Sequence, residues 1–298
     1  MRFGAAFPTR EIGNDRGAIR EYAQAVESLG FDHLVVFDHV LGADIPGRPR
    51  ARSPFHEIFV LFGFLAACTE RIDLAPAVLI LPQRQTVLVA KQAAEVDVLS
   101  GGRLRLGVGL GWNEVEFAAL RESFGDRGRR IAEQVAVLRA LFTEELVDFE
   151  GRWHRIPRAG INPLPLQRPI PIWMGGTADA AVRRIARIAD GWFVQGEPGE
   201  EFLRRLERFR SHLRDAGRDD ASFPIEGRVN AIDGDVEEWT RRVRWFGSQG
   251  LTHVYFSTMD AGCASVDDHV ALLRRFRDAT RQSGRSPAPD RSAVSRSQ

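Results

Sequence analysis

Eight apolar, strand-like runs alternate with helical segments along this 298-residue chain, and no other feature limits the fold as much. The runs fall at Arg2–Phe7, His33–Phe37, Ile72–Leu79, Leu104–Val108, Ile170–Met174, Gly191–Val194, Ile225–Ala231 and Thr252–Phe256. Between them, apolar residues recur at helical spacing: Ile19, Tyr22, Ala23, Val26 and Leu29 before strand two, and Phe202, Leu206, Phe209 and Leu213 after strand six. Eight strand–helix pairs without a linker predict an α/β architecture, a single (β/α)8 TIM barrel over residues 1–282; a doubly wound open sheet is the rival. Residues 143–168 read as an insertion between strands four and five, with VDFEGRWHRI forming a hairpin around Glu150 and Gly151. Residues 283–298 are rich in Ser, Arg, Pro and Ala and are predicted to be a disordered tail.

Charge and composition remove several function classes. With 41 basic and 40 acidic residues the net charge is +1, which gives no electrostatic case for nucleic acid or an anionic membrane as partner. The longest apolar runs, such as FVLFGFLAAC, are too short to span a bilayer. The N-terminal MRFGAAFPTR lacks the basic start and long apolar region of a signal peptide. Cys68 and Cys263 do not make a disulfide framework. A cytoplasmic protein acting on a small molecule is the expectation. A metal-dependent barrel hydrolase would carry an H-x-H on its first strand; RFGAAF has no histidine, and the seven histidines of the chain are scattered.

In a barrel the chemistry lies where strands pass into the loops that follow them. Strand two ends in Asp38-His39. A histidine passes a proton in either direction near neutral pH, and a neighbouring aspartate can orient it or cap the next turn. The plainer alternative is a capping aspartate beside a core histidine. Strand four ends GVGLGWNEVEF, where Gly107, Gly109 and Gly111 alternate with apolar residues. This is not the dinucleotide fingerprint, because its third glycine would fall at Trp112. A missing row of side chains lets something flat approach the backbone, with Trp112 and Asn113 next to it; tight helix packing is the alternative. Strand five ends in Gly175-Gly176, and Thr177 is placed to cap a helix starting at Ala178, a combination suited to an anion. Strand three ends APAVLILPQRQT, which puts Ala77 and Val78 just before a loop carrying Arg84.

Together VVFDHV, GVGLGWNEVEF and IWMGGTADAAVRRIARIADGWF resemble the luciferase-like family of flavin- and deazaflavin-dependent oxidoreductases, from about Met1 to about Arg277. The segment FGDRGRRIAEQVAVLRALF followed by VDFEGRWHRI is similar to the branch that uses coenzyme F420, a deazaflavin. The resemblance implies a barrel with an insertion between strands four and five and a tricyclic ring at its mouth. It implies a non-prolyl cis peptide joining Ala77 to Val78, in a bulge that presses on the back of the ring. His39 would donate or accept a proton at the reactive edge, and Asp38 would contact the ring's polar edge or orient the histidine. Gly109 and Gly111 would border the cofactor, Trp112 and Asn113 would lie over the pocket, and Gly175, Gly176 and Thr177 would hold the cofactor phosphate.

The implied activity is hydride transfer between coenzyme F420 and a small organic substrate, with His39, Asp38 and Trp112 as catalytic candidates. The alternative is a monooxygenase using reduced FMN and oxygen. The family is often dimeric, so a homodimer is expected, with the apolar helix Phe59–Cys68 as one contributor to the interface. Sugar-phosphate dehydrogenases of the F420 branch carry a glutamate where Trp112 stands and lysines for the phosphate. Here Lys91 is the only lysine, so the expected substrate is more apolar, near Trp112, Phe7, Phe55 and Trp173, and is chosen by residues around Trp153 to Pro165.

Overall fold

In the structure, a computed structural model that describes residues 1–45, 48–49 and 53–283, eight parallel strands wrap a filled lumen. They are β1 (Arg2–Ala6), β2 (His33–Val36), β3 (Asp73–Pro76), β4 (Leu106–Gly109), β5 (Ile172–Gly175), β6 (Gly191–Phe193), β7 (Ile225–Asn230) and β8 (His253–Ser257). Their order around the sheet is β3-β2-β1-β8-β7-β6-β5-β4. The two ends meet where the Leu74 amide donates to the Arg103 carbonyl (2.9 Å) and the Arg105 amide to the Leu74 carbonyl (3.0 Å), which closes the barrel. The TIM barrel read from the alternation is therefore the fold, and the open sheet is excluded.

One expected strand is not continuous. The run Ile72–Leu79 divides at a cis peptide between Ala77 and Val78. Before the division β3 pairs with β2; after it Leu79–Ile80 pairs with β4 instead. The chain thus changes neighbours at the mouth of the barrel, where the resemblance puts its bulge.

The outer layer consists of α1 (Arg16–Ser28), α2 (Ile58–Cys68), α3 (Thr86–Ser100), α4 (Glu114–Ala119), α5 (Arg127–Thr143), α6 (Asp179–Ile188), α7 (Glu200–Asp215), α8 (Val236–Ser248) and α9 (Val266–Ser283). Local signals set several ends. The Asp15 carboxylate accepts the Gly17 and Ala18 amides at the start of α1, and Gly101, at φ 71°, ends α3. Thr177 does not cap α6: Ala178 holds that position, and no side chain caps this helix. In the insertion the hairpin forms, with strands Val147–Glu150 and Arg155–Ala159. The tail expected over 283–298 lies outside the described residues apart from Ser283, the last residue of α9.

Side chains alternate along each strand. Leu34, Val36, Leu74, Trp192, Val254 and Phe256 point outward into one continuous helix–sheet core. Burying such a side chain fully stabilises the fold by about 1.5–3 kcal/mol. Ala6, Val35, Ala75, Trp173, Phe193 and Tyr255 point inward and form a separate cluster within the lumen.

Below that cluster lies a layer the sequence did not announce. Glu226 is fully buried, its Oε1 meets Nε2 of His33, and its Oε2 lies 2.9 Å from Nη2 of Arg105. The Arg105 guanidinium stacks 4.3 Å over the Trp173 ring, and the His253 ring packs 5.0 Å from the same indole. His33, Glu226 and His253 stand at the N-terminal ends of their strands, so these charges close the barrel at the end opposite its mouth. Burial acts to raise the Glu226 carboxyl, but Arg105 and His33 outweigh it and bring it down to about 2. Burial, reinforced by Arg105, pushes His253 down to about 3.

Candidate active site at the barrel mouth

The loops that follow β2, β3 and β4 converge on one histidine. His39 is nearly enclosed: the Phe55 ring packs edge-on 4.7 Å away and the Trp112 ring 5.7 Å away, centroid to centroid. Its Nδ1 lies 3.1 Å from Oε2 of Glu116, a fully buried residue on α4. The other oxygen of Glu116 accepts the amides of Val40 (2.8 Å) and Leu41 (3.0 Å), and Gln83 donates to Oε2 at 3.4 Å. One carboxylate therefore fixes both the ring and the turn after it.

The carboxylate that holds His39 is thus Glu116, not the neighbouring Asp38. Asp38 turns away and uses both oxygens elsewhere: Oδ2 accepts the Ile80 amide (2.9 Å) and Oδ1 accepts from Nη2 of Arg84 (2.9 Å). Burial raises the Asp38 carboxyl above its ordinary value, with Arg84 and the Ile80 amide opposing the shift. Arg84 also donates to Glu57 at 2.7 Å, so the anions it meets are protein carboxylates. This network ties the divided third strand to the end of β2. Asn113 likewise has a structural role. It is buried, its side chain accepts the Val115 amide as the cap of α4, and its Nδ2 points to the Leu41 carbonyl.

The glycines of strand four do accommodate something close, and it is protein. A β-carbon on Gly107 would run into the Pro76 carbonyl, one on Gly109 into the Val78 side chain, and one on Gly111 would come within 2.5 Å of Ile80. Residues 76, 78 and 80 therefore match 107, 109 and 111 in step. A β-carbon on Gly175 would come within 3.0 Å of Val78 as well. Val78 sits between β4 and β5 and, with Ala77, Phe37 and Met259, joins the upper side of the lumen cluster. The result is a small-residue, apolar floor.

At the end of β5, Gly176 takes φ 155°, and a β-carbon there would come within 2.8 Å of Ala181. The Trp192 indole donates to the Gly176 carbonyl (3.1 Å), which anchors the turn. Thr177 is exposed beside the uncapped N-terminus of α6, where Asp179 of the first turn pairs with Arg183, Arg208 and His212.

A sequence model of the luciferase-like monooxygenase family matches residues 1–294. The chain belongs to this family. A protein of Mycobacterium tuberculosis is 35% identical over 244 residues, covering 78% of this chain and 82% of the relative. An FMNH2-dependent dimethylsulfone monooxygenase of Pseudomonas putida is 31% identical over 233 residues, covering 75% of this chain and 60% of the relative. Among solved structures, the coenzyme F420-dependent tetrahydromethanopterin reductase of Methanopyrus kandleri superposes with a TM-score of 0.77 at 14% identity, covering 95% of this chain and 99% of that one. The chain is thus placed in the luciferase-like oxidoreductase and monooxygenase class, and of the two proteins just described the monooxygenase depends on FMNH2 and the reductase on coenzyme F420.

Among the described residues, no group of three or more His, Cys, Asp or Glu is gathered as metal ligands would be, and no helix is long and apolar enough to cross a membrane. Two expected wall residues lie elsewhere. Phe7 is buried outside the barrel against Tyr22, and Trp173 lies deep in the lumen over Arg105. The hairpin bearing Trp153 is tied to the outer layer, since Glu133 of α5 accepts the amides of Arg152, Trp153 and His154. Two residues were missed besides Glu116. Arg228 shares the inward face of β7 with Glu226, is exposed, and stands level with Tyr255 of β8. Burial pushes the Tyr255 phenol up to about 12 against the pull of Arg228. A charged residue two places after another charged residue within an apolar strand, as in IEGRV, is the signal that could have found it.

Proposed function

We propose that this luciferase-like enzyme is a deazaflavin-dependent oxidoreductase that moves a hydride between coenzyme F420 and a small organic substrate. The observation that carries the reading is His39, an enclosed imidazole held by a buried carboxylate at the ends of the barrel strands. Hydride transfer to or from a carbon bearing oxygen needs a proton donor or acceptor beside it.

The residues present fit a flat ring. Ala77 and Val78 would support its back face, with Gly109 and Gly175 leaving room for Val78 and Gly111 for Ile80 beside it. Gly175, Gly176, Thr177 and the uncapped start of α6 would hold its phosphate through backbone amides. Arg228 would supply positive charge at the ring's polar edge, a role Asp38 leaves open because Arg84 and Ile80 occupy it. When bound, the deazaflavin supplies a hydride-carrying carbon. The chain orients it, Trp112 and Phe55 exclude water from His39, and His39 manages the accompanying proton.

The second reading, a monooxygenase using reduced FMN and oxygen, is favoured by the 31% identity to the dimethylsulfone monooxygenase. Equilibrium titration of F420 and FMN onto the apoprotein separates the two. Tight binding of F420 is expected; tight FMN binding with none for F420 would overturn the choice.

The enzyme is further proposed to act as a homodimer through α2 and α3. These helices pack side by side and present Val60, Val87 and Leu88 outward, Val60 at 73% exposure.

A further inference from the structure

We propose that Glu116 is a positioning residue: it holds His39 in the tautomer protonated at Nδ1, so that Nε2 is the nitrogen that takes up and returns the proton. The catalytic part of this inference rests on the proposed role of His39; the tautomer does not.

The contacts of Glu116 carry the assignment. Oε1 of Glu116 accepts two backbone amides, from Val40 and Leu41, which can only donate. Oε2 faces the Gln83 amide at 3.4 Å and Nδ1 of His39 at 3.1 Å. A carboxylate has acceptor capacity only. Burial acts to raise the Glu116 carboxyl, yet the hydrogen bonds from His39 and the Leu41 amide outweigh it and hold the group below its usual range. Independently of that bond, two backbone amides donate to Oε1 and the Gln83 amide faces Oε2, a surrounding of donors that suits an ionised carboxylate, which leaves Nδ1 to supply the hydrogen between them. In the neutral ring that leaves the lone pair on Nε2. A carboxylate on one imidazole nitrogen fixes both the tautomer and the ring orientation, and stabilises the imidazolium once a proton arrives.

The pattern N-x-x-E, Asn113 to Glu116, reads in sequence as a helix capping box, whose glutamate folds back on its own helix start. Here the asparagine caps, but the glutamate reaches across to the β2 loop. α4 thus presents its buried carboxylate to a residue 77 positions away in sequence.

The test is a two-bond 1H–15N correlation spectrum of the full chain with labelled histidine, recorded where the imidazole is neutral. The His39 signals are identified by their loss in His39→Ala. The expected spectrum shows a protonated Nδ1 and a pyridine-like Nε2. In Glu116→Gln the amide NH2 takes the place of Oε2 and donates to Nδ1, so the pattern should invert, while kcat falls about 10²-fold. A wild-type ring protonated at Nε2, or an unchanged pattern in Glu116→Gln, would overturn the proposal. Should Glu116→Gln not fold, Glu116→Asp draws the carboxylate back by one methylene and should give mixed tautomers; a single unchanged tautomer there counts against the role. The spectrum needs no cofactor, so a wrong cofactor assignment fails in the titration and leaves this result intact.

Discussion

Val78 occupies the space that any side chain at Gly109 would need. Because residues 76, 78 and 80 face 107, 109 and 111 in step, the divided third strand and the glycines of strand four are two halves of one joint. Interiors are packed too closely to absorb an added methyl without movement.

Gly109→Ala is expected to lower stability by about 1–3 kcal/mol, the usual range for overpacking. Gly107→Ala should cost more, because the obstruction there is the Pro76 carbonyl, which cannot rotate away. Adding Val78→Ala to Gly109→Ala should recover part of the loss, giving a non-additive cycle in urea denaturation. Additive losses would show that the two residues do not share the space.

His39→Ala is expected to leave cofactor affinity within about twofold while turnover falls by about 10²–10⁴. Binding titration and steady-state kinetics on the same preparation check both halves. Unchanged turnover would remove His39 from the mechanism.

The sequence exposed some of this arrangement and hid the rest for definable reasons. Asp38-His39 stood out because two polar residues end an apolar run, and the structure does put the histidine at the mouth. Their adjacency also suggested a pair, whereas successive residues after a strand point apart: Asp38 turns to Arg84 and His39 to Glu116. The division of the third strand is marked in APAVLILP only by Pro76, which cannot donate to a ladder, and the bulge at Ala77 and Val78 was expected from the family resemblance rather than from the letters. Glu116 was hidden because its partner is brought near only by barrel closure. The buried layer of Glu226, Arg105, His33 and His253 comes from four strand starts scattered over 221 positions, and pairing across a lumen leaves no local pattern.

Glu226→Gln should be severely destabilising, by about 3–5 kcal/mol, because it leaves the Arg105 charge buried without its partner. Acid should act on the same layer. Glu226, lowered to about 2, contributes stability that is fully present above its ordinary 4.5 and is lost as pH falls from there through about 2. His253, lowered to about 3, is bound neutral; its contribution is present above 6.5 and is lost as pH falls from 6.5 towards 3. Both have the same sign, so the Tm should fall steadily between pH 7 and pH 4. A Tm that is flat across that range would count against the assignment.

Val60→Asp combined with Leu88→Asp should convert a dimer to a monomer in sedimentation velocity without lowering the unfolding free energy of the monomer by more than about 1 kcal/mol, since both side chains are exposed within one protomer. A wild-type monomer at micromolar concentration would rule out this interface.

The charged layer under Trp173 has a kinetic corollary. Trp173, Phe193 and Tyr255 fill the lumen and Arg105, Glu226 and the two histidines close it below, so whatever binds at the mouth must arrive and leave from the loop side. Two ligands that share one doorway queue: the one seated on the floor formed by Val78 arrives first and departs last. On the proposed function, turnover should therefore follow a compulsory order, with the cofactor bound before the substrate and released after the product.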